Sequence, residues 1–418
     1  MDEVFLSPGV RTPFAKAGGV YAHRSPIELS IPVLKAMNSR ARPDLIAWGQ
    51  VIPEPTVSNI AREAVYEAGL DPSIPAYSTV MACSSSFLAA IQVAGMLGSG
   101  GNHLTMVGGA ESMSHAPLAL KYKVAEGLLE KFAKDPLAAA EAMGHITTED
   151  FDLPTKGWAN RQSGKSMGVH MEETAKEFHI PRADQDERAF RSHQGAVRGQ
   201  DSGFFNDLIV PLDGVERDNL PRRDTTLEKL ARLPPAFDRT SGMGSLTAGN
   251  SSPLTDGAAA LWVADSEGIR RLGQEPVVRL ADWEIGALDL RTEGLLMAPA
   301  RAIPRLLARN KLKANDIALW EIHEAFAAQV LANVQALMDP VYRREKARVD
   351  ADLGTFSWDR VNPNGGSIAL GHPFAATGAR ILSQAVKELT AMPPGSKAVV
   401  SVCADGGEGT AALLERIT

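Results

Sequence analysis

Two cysteines and two histidines stand where this chain could assemble a nucleophilic site. Cys83 and Cys403 each follow a short apolar segment and open a turn of small residues, and His323 and His372 stand in comparable places. A thiolate at the mouth of a helix is favoured by the free N–H groups and the helix dipole, and a nearby histidine can take the thiol proton. These residue types predict a cysteine nucleophile paired with a histidine base.

His372 has the most informative surroundings of the two histidines. It stands between Gly371 and Pro373, after a glycine-rich run, and a helical pattern of apolar residues begins at Phe374. A lone histidine is more often structural, but a tight turn before a helix presents one side chain together with free N–H groups. The setting therefore favours a functional histidine.

The second cysteine says what kind of reaction to expect. Simple hydrolysis needs one thiol, whereas a reaction that also moves a proton to or from carbon needs a separate acid or base. Backbone N–H groups at Cys83 and in the glycine turn after Cys403 could form an oxyanion hole. From the residues alone we expect an acyl-transferring Cys/His enzyme with no metal.

Short buried strands and helices must position these residues, and they alternate over most of the chain. Strands are predicted over Tyr77–Ala82, Ile317–Ile322 and Ala398–Val402, which deliver Cys83, His323 and Cys403. Such alternation predicts an α/β fold, and ligands bind at the carboxyl ends of the strands in open α/β sheets. Each half has a strand that ends at a cysteine, which suggests a duplicated fold.

Residues 115 to 245 break this rhythm, with more charge, more loops and helical pieces such as Val124–Lys134 and Met167–Phe178. We interpret this stretch as an inserted lobe whose charged helices present a solvated face. The predicted domains are an N-terminal half (1–116), an inserted loop domain (117–245), the remainder of the N-terminal half (246–270) and a C-terminal half (271–418).

Composition excludes several classes of function. The 418 residues suffice for two to three domain-sized units, and the net charge of −7 gives no sign of nucleic-acid binding. Two cysteines 320 positions apart fit a reducing compartment rather than a disulfide framework. The N-terminus lacks a secretory signal pattern, and no window has the roughly 20 apolar residues that span a bilayer. We expect a cytoplasmic protein with no transmembrane segment.

Motifs spread over nearly the whole chain resemble those of the thiolase family. They are the Cys83 stretch, Arg11-Thr12-Pro13-Phe14, Gly108-Gly109-Ala110-Glu111-Ser112-Met113-Ser114, Asn250 to Ala260, His323-Glu324-Ala325-Phe326, Gly371-His372-Pro373 and the Cys403 turn. The resemblance implies a five-layered α-β-α-β-α fold of two similar halves, with an inserted loop domain that binds coenzyme A. It also implies thiolytic cleavage of 3-oxoacyl-CoA, as in the β-oxidation of fatty acids or related acyl groups, by an acetyl-CoA C-acyltransferase.

The resemblance also implies a role for each matching residue. Cys83 would attack the 3-keto carbon, His372 would activate it, and Cys403 would protonate the acetyl-CoA enolate and then deprotonate the incoming CoA thiol. His372 and a water held by His323 would bind the thioester oxygen, and the N–H groups of Cys83 and Asp405 would hold the acyl-enzyme oxyanion. Three further residues match positions that contact coenzyme A in the family: Ser252, Arg222 and Met167. The resemblance implies coenzyme A as a co-substrate and no permanently bound cofactor.

Two departures from the family pattern concern the site. Many thiolases have asparagine where His323 stands, and the histidine version, like the long insert from Pro117 to Gly164, resembles the β-subunits of fatty-acid oxidation trifunctional complexes. Substrate preference would then shift toward longer chains. Asp405 replaces the usual glycine or alanine, and its carboxylate would oppose an oxyanion unless it points away or is paired.

Several alternatives remain open at this point. A biosynthetic acetoacetyl-CoA thiolase would use the same residues, and a decarboxylating 3-oxoacyl synthase shares the architecture but has no second cysteine like Cys403. A lipid-transfer or scaffold subunit would require a vestigial site. The resemblance suggests a homodimer or homotetramer, with an enoyl-CoA hydratase/3-hydroxyacyl-CoA dehydrogenase as a further partner.

Overall fold

The computed structural model describes residues 3–99, 101–152 and 159–418, so part of the insert lies outside the described residues. It divides into two compact units, Ala116–Met167 and the remainder of the chain. The described strands are β1 Phe5–Ser7, β2 Ala15–Lys16, β3 Leu45–Gly49, β4 Ala76–Thr79, β5 Leu104–Glu111, β6 Ala119–Leu120, β7 Phe151–Asp152, β8 Thr255–Ala264, β9 Val278–Ala287, β10 Leu319–Ile322, β11 Lys397–Ala404 and β12 Glu408–Arg416.

The described α-helices begin with α1 at Pro26–Asn38 and are numbered in chain order. They continue as α2 Ile60–Glu67, α3 Ser85–Ala94, α4 Tyr122–Lys134, α5 Pro136–Met143, α6 Met167–Glu177, α7 Arg182–Asp201, α8 Leu227–Ala231, α9 Ser266–Arg271, α10 Pro299–Arg309, α11 Ala327–Met338, α12 Pro340–Tyr342, α13 Ser367–Leu370 and α14 Thr377–Thr390. Of these helices, none is both long enough and apolar enough to cross a membrane.

The large unit is built on two sets of strands with the same pairing. In the first set β1 pairs antiparallel with β8, β8 antiparallel with β5, and β5 parallel with β3. In the second, β9 pairs antiparallel with β12, β12 antiparallel with β11, and β11 parallel with β10. Hydrogen bonds between β1 and β9 join the two sets. The expected duplicated α/β fold is thus present.

Three apolar clusters define the layers around these strands. The central cluster joins α3 and α14 to side chains of both strand sets, such as Val107 and Val400. The other face of the first set packs on α1 and α2, and that of the second set packs on α10 and α11. Each strand set is therefore buried on both faces, which gives the five α-β-α-β-α layers that the thiolase resemblance implied.

The described part of the small unit contains the helices α4 and α5 and a short antiparallel pair of strands, β6 and β7. Lys121 precedes α4, Asp135 caps α5 by accepting hydrogen bonds from the N–H groups of Leu137 and Ala138, and β6 pairs with β7. No residue of α4 is buried. The sequence-based domain bounds, which extended the insert to residue 245, stay a prediction.

One long element was missed from the sequence. Helix α7 spans 20 residues of the stretch interpreted as a lobe with solvated helices, yet it buries several polar side chains, including Arg188 and Ser192. The helix has one buried and one exposed face, but the sequence does not indicate this, because the buried face also carries polar side chains. Hydrogen bonds satisfy these buried polar groups. The interpretation of a solvated face was therefore wrong for this helix.

Candidate active site

Cys83 lies on a strained turn between a strand and a helix. The predicted strand ends at Thr79 instead of running to the cysteine, and Ala82 adopts a left-handed conformation with φ of +42°. The Ser85 hydroxyl accepts from the Met81 N–H at 2.9 Å and donates to the Ala82 carbonyl at 2.7 Å, so it clamps the turn. Such strain is costly for a non-glycine residue and is held only by surrounding contacts. Cys83, half-buried, is thereby presented just before α3.

His372 precedes α14 as Cys83 precedes α3, and we call these two helices of the central cluster the central helices. Gly371 has φ of +99°, and a Cβ there would lie 2.7 Å from the Thr255 side chain, so glycine is required. The His372 ring is buried, with Nε2 at 3.1 Å from Cys83 Sγ and Nδ1 at 2.7 Å from the Thr377 hydroxyl. The structure therefore brings the predicted nucleophile and base within hydrogen-bonding distance.

The N-termini of the two central helices meet beside this pair. The Ser86 hydroxyl, in the first turn of α3, accepts from the N–H of Ala379 in the first turn of α14 at 2.8 Å. A Cβ at Gly378 would lie 2.4 Å from the Phe87 nitrogen, so the helices approach with backbone contact. Cys83 and His372 are held together because the helices that follow them are packed this closely.

Cys403 reaches the same place from the end of β11. Ser84, the residue after Cys83, donates its hydroxyl hydrogen at 3.1 Å to the carbonyl of Val402, the residue before Cys403. The Cys403 thiol is buried, and its pKa is raised well above the ordinary value by burial and then by the neighbouring Cys83. The two sulfurs, distant in sequence, thus share one interior site.

Burial sets the protonation states of the Cys83–His372 pair. It raises the pKa of Cys83 to about 12, against hydrogen bonds from the N–H groups of Asp405 and Cys83 that favour the thiolate. It lowers the pKa of His372 to about 3, with the buried Arg380 guanidinium acting in the same direction. The N–H groups do favour the thiolate, as expected from the sequence, but desolvation outweighs them, so both pKa shifts favour a neutral thiol beside a neutral imidazole.

Asp405 influences this site through both backbone and side chain. Its N–H is directed at Cys83, as a second oxyanion donor should be, and its carboxylate is the second cause, after burial, of the raised Cys83 pKa. The carboxylate also accepts from the Gly406 N–H at 2.7 Å, which folds it onto its own turn. The Asp405 carboxylate thus opposes negative charge on Cys83, as expected from the sequence for a carboxylate at this position.

The His323 ring packs against His372, with ring centroids 4.2 Å apart and the ring planes tilted by 49°. It is fully buried, its Nδ1 lies 2.9 Å from the Ser367 hydroxyl, and its Nε2 has no hydrogen-bond partner in the described parts of the chain. Its pKa is lowered well below the ordinary value by burial, then by His372 and Arg380. The ring is therefore neutral.

The three residues matched to coenzyme A contacts lie in different surroundings. Ser252 is half-buried, and its N–H donates to the Ala325 carbonyl at 2.9 Å. It lies two residues before Leu254, which forms an isolated β-bridge with His372. Arg222 is exposed, and its N–H donates to His193. Met167 begins α6 at the boundary between the two units. Their contacts with coenzyme A stay a prediction.

Several buried charged residues that support the site were missed from the sequence. Glu324, beside His323, pairs with Arg188 of α7 at 2.9 Å and accepts from Ser192 and Asn362. Glu111, at the end of β5, accepts from the backbone of the β3 loop and from Ala375, and burial raises its pKa to about 7. Both glutamates lie within motifs that match the thiolase family, and this position was the one sequence feature that pointed to them.

Comparisons with known proteins identify the family of this chain. The family models described as the thiolase N-terminal and C-terminal domains match residues 4–267 and 274–416. The 3-ketoacyl-CoA thiolase of Shewanella loihica is 35% identical over 432 residues, covering 99% of this chain and 97% of that protein. That of Shewanella denitrificans is 36% identical over 426 residues with the same coverage.

Solved structures give the same result. The Bacillus anthracis acetyl-CoA acetyltransferase matches with a TM-score of 0.82 and 31% identity, covering 100% of this chain and 99% of that one. The Acat5 thiolase of Ascaris suum, solved in complex with coenzyme A, matches with a TM-score of 0.80 and 27% identity, covering 99% and 100%. The chain therefore belongs to the thiolase family of acyltransferases.

Proposed function

We propose that Cys83 carries the acyl group while this thiolase cleaves 3-ketoacyl-CoA, with coenzyme A as co-substrate, into acetyl-CoA and a shortened acyl-CoA. The observation that carries the proposal is the 3.1 Å contact between Cys83 Sγ and His372 Nε2. With its Nδ1–H donated to Thr377, the neutral His372 ring has its Nε2 lone pair facing the thiol.

In the first half-reaction Cys83 attacks the 3-keto carbon and its proton passes to His372 Nε2. The oxyanion accepts hydrogen bonds from the N–H groups of Cys83 and Asp405, a contribution that is worth about 10² to 10³ in rate for one donor. The C2–C3 bond then breaks, the acyl group remains on Cys83, and the acetyl-CoA enolate takes the proton of Cys403. His372 is left protonated and Cys403 as a thiolate.

In the second half-reaction the Cys403 thiolate takes the proton of the incoming CoA thiol. The CoA thiolate attacks the Cys83 thioester, and Cys83 departs with the proton returned by His372. Both cysteines and the histidine regain their starting states. The buried position of Cys403 supports this role, because a raised thiol pKa makes its thiolate a strong base.

A thiolysis assay with single-cysteine variants tests these roles. Since the chain has two cysteines, each variant retains one thiol. We expect loss of the 3-keto–magnesium absorbance with the wild type, and mass spectrometry to find the shortened acyl group on Cys83. Cys83→Ala should abolish acylation. Thiolysis that persists after Cys403→Ala would count against the mechanism, and consumption of a malonyl donor would identify a decarboxylating synthase instead.

The physiological setting completes the proposal. The family match and the histidine at position 323 support a degradative role in acyl β-oxidation, with 3-oxoacyl-CoAs longer than acetoacetyl-CoA preferred over the biosynthetic reaction. Profiling thiolysis over graded chain lengths tests this preference. We further propose a cytoplasmic homodimer or homotetramer with a hydratase/dehydrogenase partner. Purification at native expression as a single homo-oligomer would exclude that partner.

A further inference from the structure

The two neighbouring histidines of the site have different hydrogen-bond environments. His372 faces a thiol through Nε2, whereas His323 has Nε2 buried without a partner in the described residues. A neutral imidazole carries its proton on one nitrogen, and the partner of the other nitrogen decides which one. The contact that matters for His323 is therefore the one at Nδ1, to the Ser367 hydroxyl at 2.9 Å.

The direction of that hydrogen bond follows from a second contact of the same hydroxyl. Arg380 Nη2 lies 2.8 Å from Ser367 Oγ, and a guanidinium can only donate, so Ser367 accepts there. The hydroxyl retains one hydrogen, and His323 Nδ1 is the one acceptor it contacts among the described residues. If Nδ1 carried the proton, Ser367 would accept two hydrogen bonds and its own hydrogen would have no acceptor among the described residues. The tautomer with the proton on Nε2 lets Ser367 donate to Nδ1 and satisfies the hydroxyl.

Arg380 is itself held in place by the protein interior. It is buried, and its Nη1 donates to Gln384 Oε1 at 3.4 Å. Burial lowers the pKa of Arg380 to about 10, against the opposing effect of Glu321 and Glu324, so the guanidinium stays charged at neutral pH. A buried guanidinium can only donate, so it cannot exchange roles with the serine as a water molecule could. The orientation of the Ser367 hydroxyl is thus determined by a buried ion.

We propose that Ser367, oriented by Arg380, is a positioning residue that fixes His323 as the Nε2–H tautomer, so that the site has a hydrogen-bond donor beside the base His372. This inference rests on the proposed thiolase reaction and deepens it. The donor suits the developing thioester enolate oxygen, directly or through a water, and the opposite tautomer would present a lone pair that repels it.

The tautomer can be read directly by nitrogen NMR on histidine-labelled protein. The chain has nine histidines, and the signals of His323 are assigned by their loss in His323→Asn. We expect a protonated Nε2 and an unprotonated Nδ1 in the wild type, and a mixture of tautomers in Ser367→Ala. An unchanged Nε2–H tautomer in that variant would overturn the proposal, whether or not the protein is active.

Kinetics tests whether the tautomer matters for the reaction. We expect Ser367→Ala to lower kcat/KM for thiolysis about 10- to 100-fold, less than the full loss of an oxyanion donor, and Ser367→Thr, which keeps the hydroxyl, to restore activity. In a His323→Asn background the same serine change should cost less than about threefold, because an amide has a fixed donor. An equal loss in both backgrounds would show a merely structural role.

Ser30→Ala is the matched control for stability. Ser30 is equally buried and also accepts one hydrogen bond, from Trp48 Nε1 at 3.0 Å, while donating another, to the Pro26 carbonyl at 2.7 Å. It should lower stability as Ser367→Ala does while leaving kcat/KM unchanged. A wild type without thiolysis would refute the proposed function, while the NMR measurement would still decide the tautomer.

Discussion

The two halves of the large unit share one pattern of strands and helices but place different chemistry at equivalent positions. Before the central helix, the first half has Cys83 and the second has His372. At the carboxyl end of the equivalent strands, β5 ends with Glu111 and β11 has Cys403. The sequence suggested that the two cysteines were counterparts, but the strand pairing makes Cys83 the counterpart of His372.

This difference teaches how a duplicated fold becomes a single site. Because two central helices meet at their N-termini, the residues that precede them become neighbours whatever their identity. Divergence of the two halves then turns one pair of equivalent positions into nucleophile and base. Two histidines at these positions would lack the thiol nucleophile, and two cysteines would lack the imidazole base.

The largest expected effect comes from removing the asymmetry at the central helices. We expect His372→Ala to lower kcat/KM for thiolysis about 10²- to 10⁴-fold, the usual contribution of a general base, with Cys83 intact. His103 provides the control. It pairs with Asp265 just before the first residue of β5, at the end of that strand away from the site, so His103→Ala should keep activity. A His372→Ala enzyme within tenfold of wild type would remove the proposed base.

Helix α7 also braces the second half of the large unit. Arg188 of α7 makes a buried pair with Glu324, and breaking such a pair typically costs about 3–5 kcal/mol. We expect Arg188→Met to lower the free energy of unfolding by this amount in denaturant titrations. Arg191→Met, which removes exposed pairs with Glu187 and Asp359, should cost about 0–1 kcal/mol. Equal effects would mean that Glu324 is not dependent on α7.

Glu111, the first-half counterpart at the strand end, should make stability depend on pH. Its folded pKa of about 7 exceeds its ordinary value of 4.5. The native state therefore holds its proton longer, and stability is fully present below about pH 4.5 and lost as the pH rises through 7, by on the order of 3 kcal/mol. Glu111→Gln should flatten this part of the unfolding profile, whereas an unchanged profile would assign the dependence to other groups.

The smallest expected effect concerns the turn after Cys403. Asp405→Asn keeps the backbone N–H but removes the charge that raises the Cys83 pKa. We expect that pKa to fall by less than about one unit and alkylation of Cys83 to speed up by less than about tenfold near neutral pH. Asp405→Glu, which keeps the charge, should behave like the wild type. No difference between the two variants would show that the carboxylate is screened.

Much of the architecture was predictable because buried strands and amphipathic helices leave a periodic pattern. The strands predicted over Ile317–Ile322 and Ala398–Val402 were confirmed, as was the helical piece Val124–Lys134. Helix α7 was missed since its buried face is polar, and hydrophobic periodicity carries no signal for charges that are satisfied by hydrogen bonds. The strand before Cys83 was predicted to run to Ala82 but ends at Thr79, because apolar residues in a strained turn have the same sequence pattern as apolar residues in a strand.

By itself the sequence determined the α/β class, the family motifs and the four residues that meet in the site, since residue type and spacing depend on local chain properties. Only the tertiary structure decided which of these groups carry protons. Desolvation, the Arg380 charge and the single hydrogen of Ser367 act through space between segments far apart in the chain. Protonation follows from that shared environment, which no stretch of sequence contains.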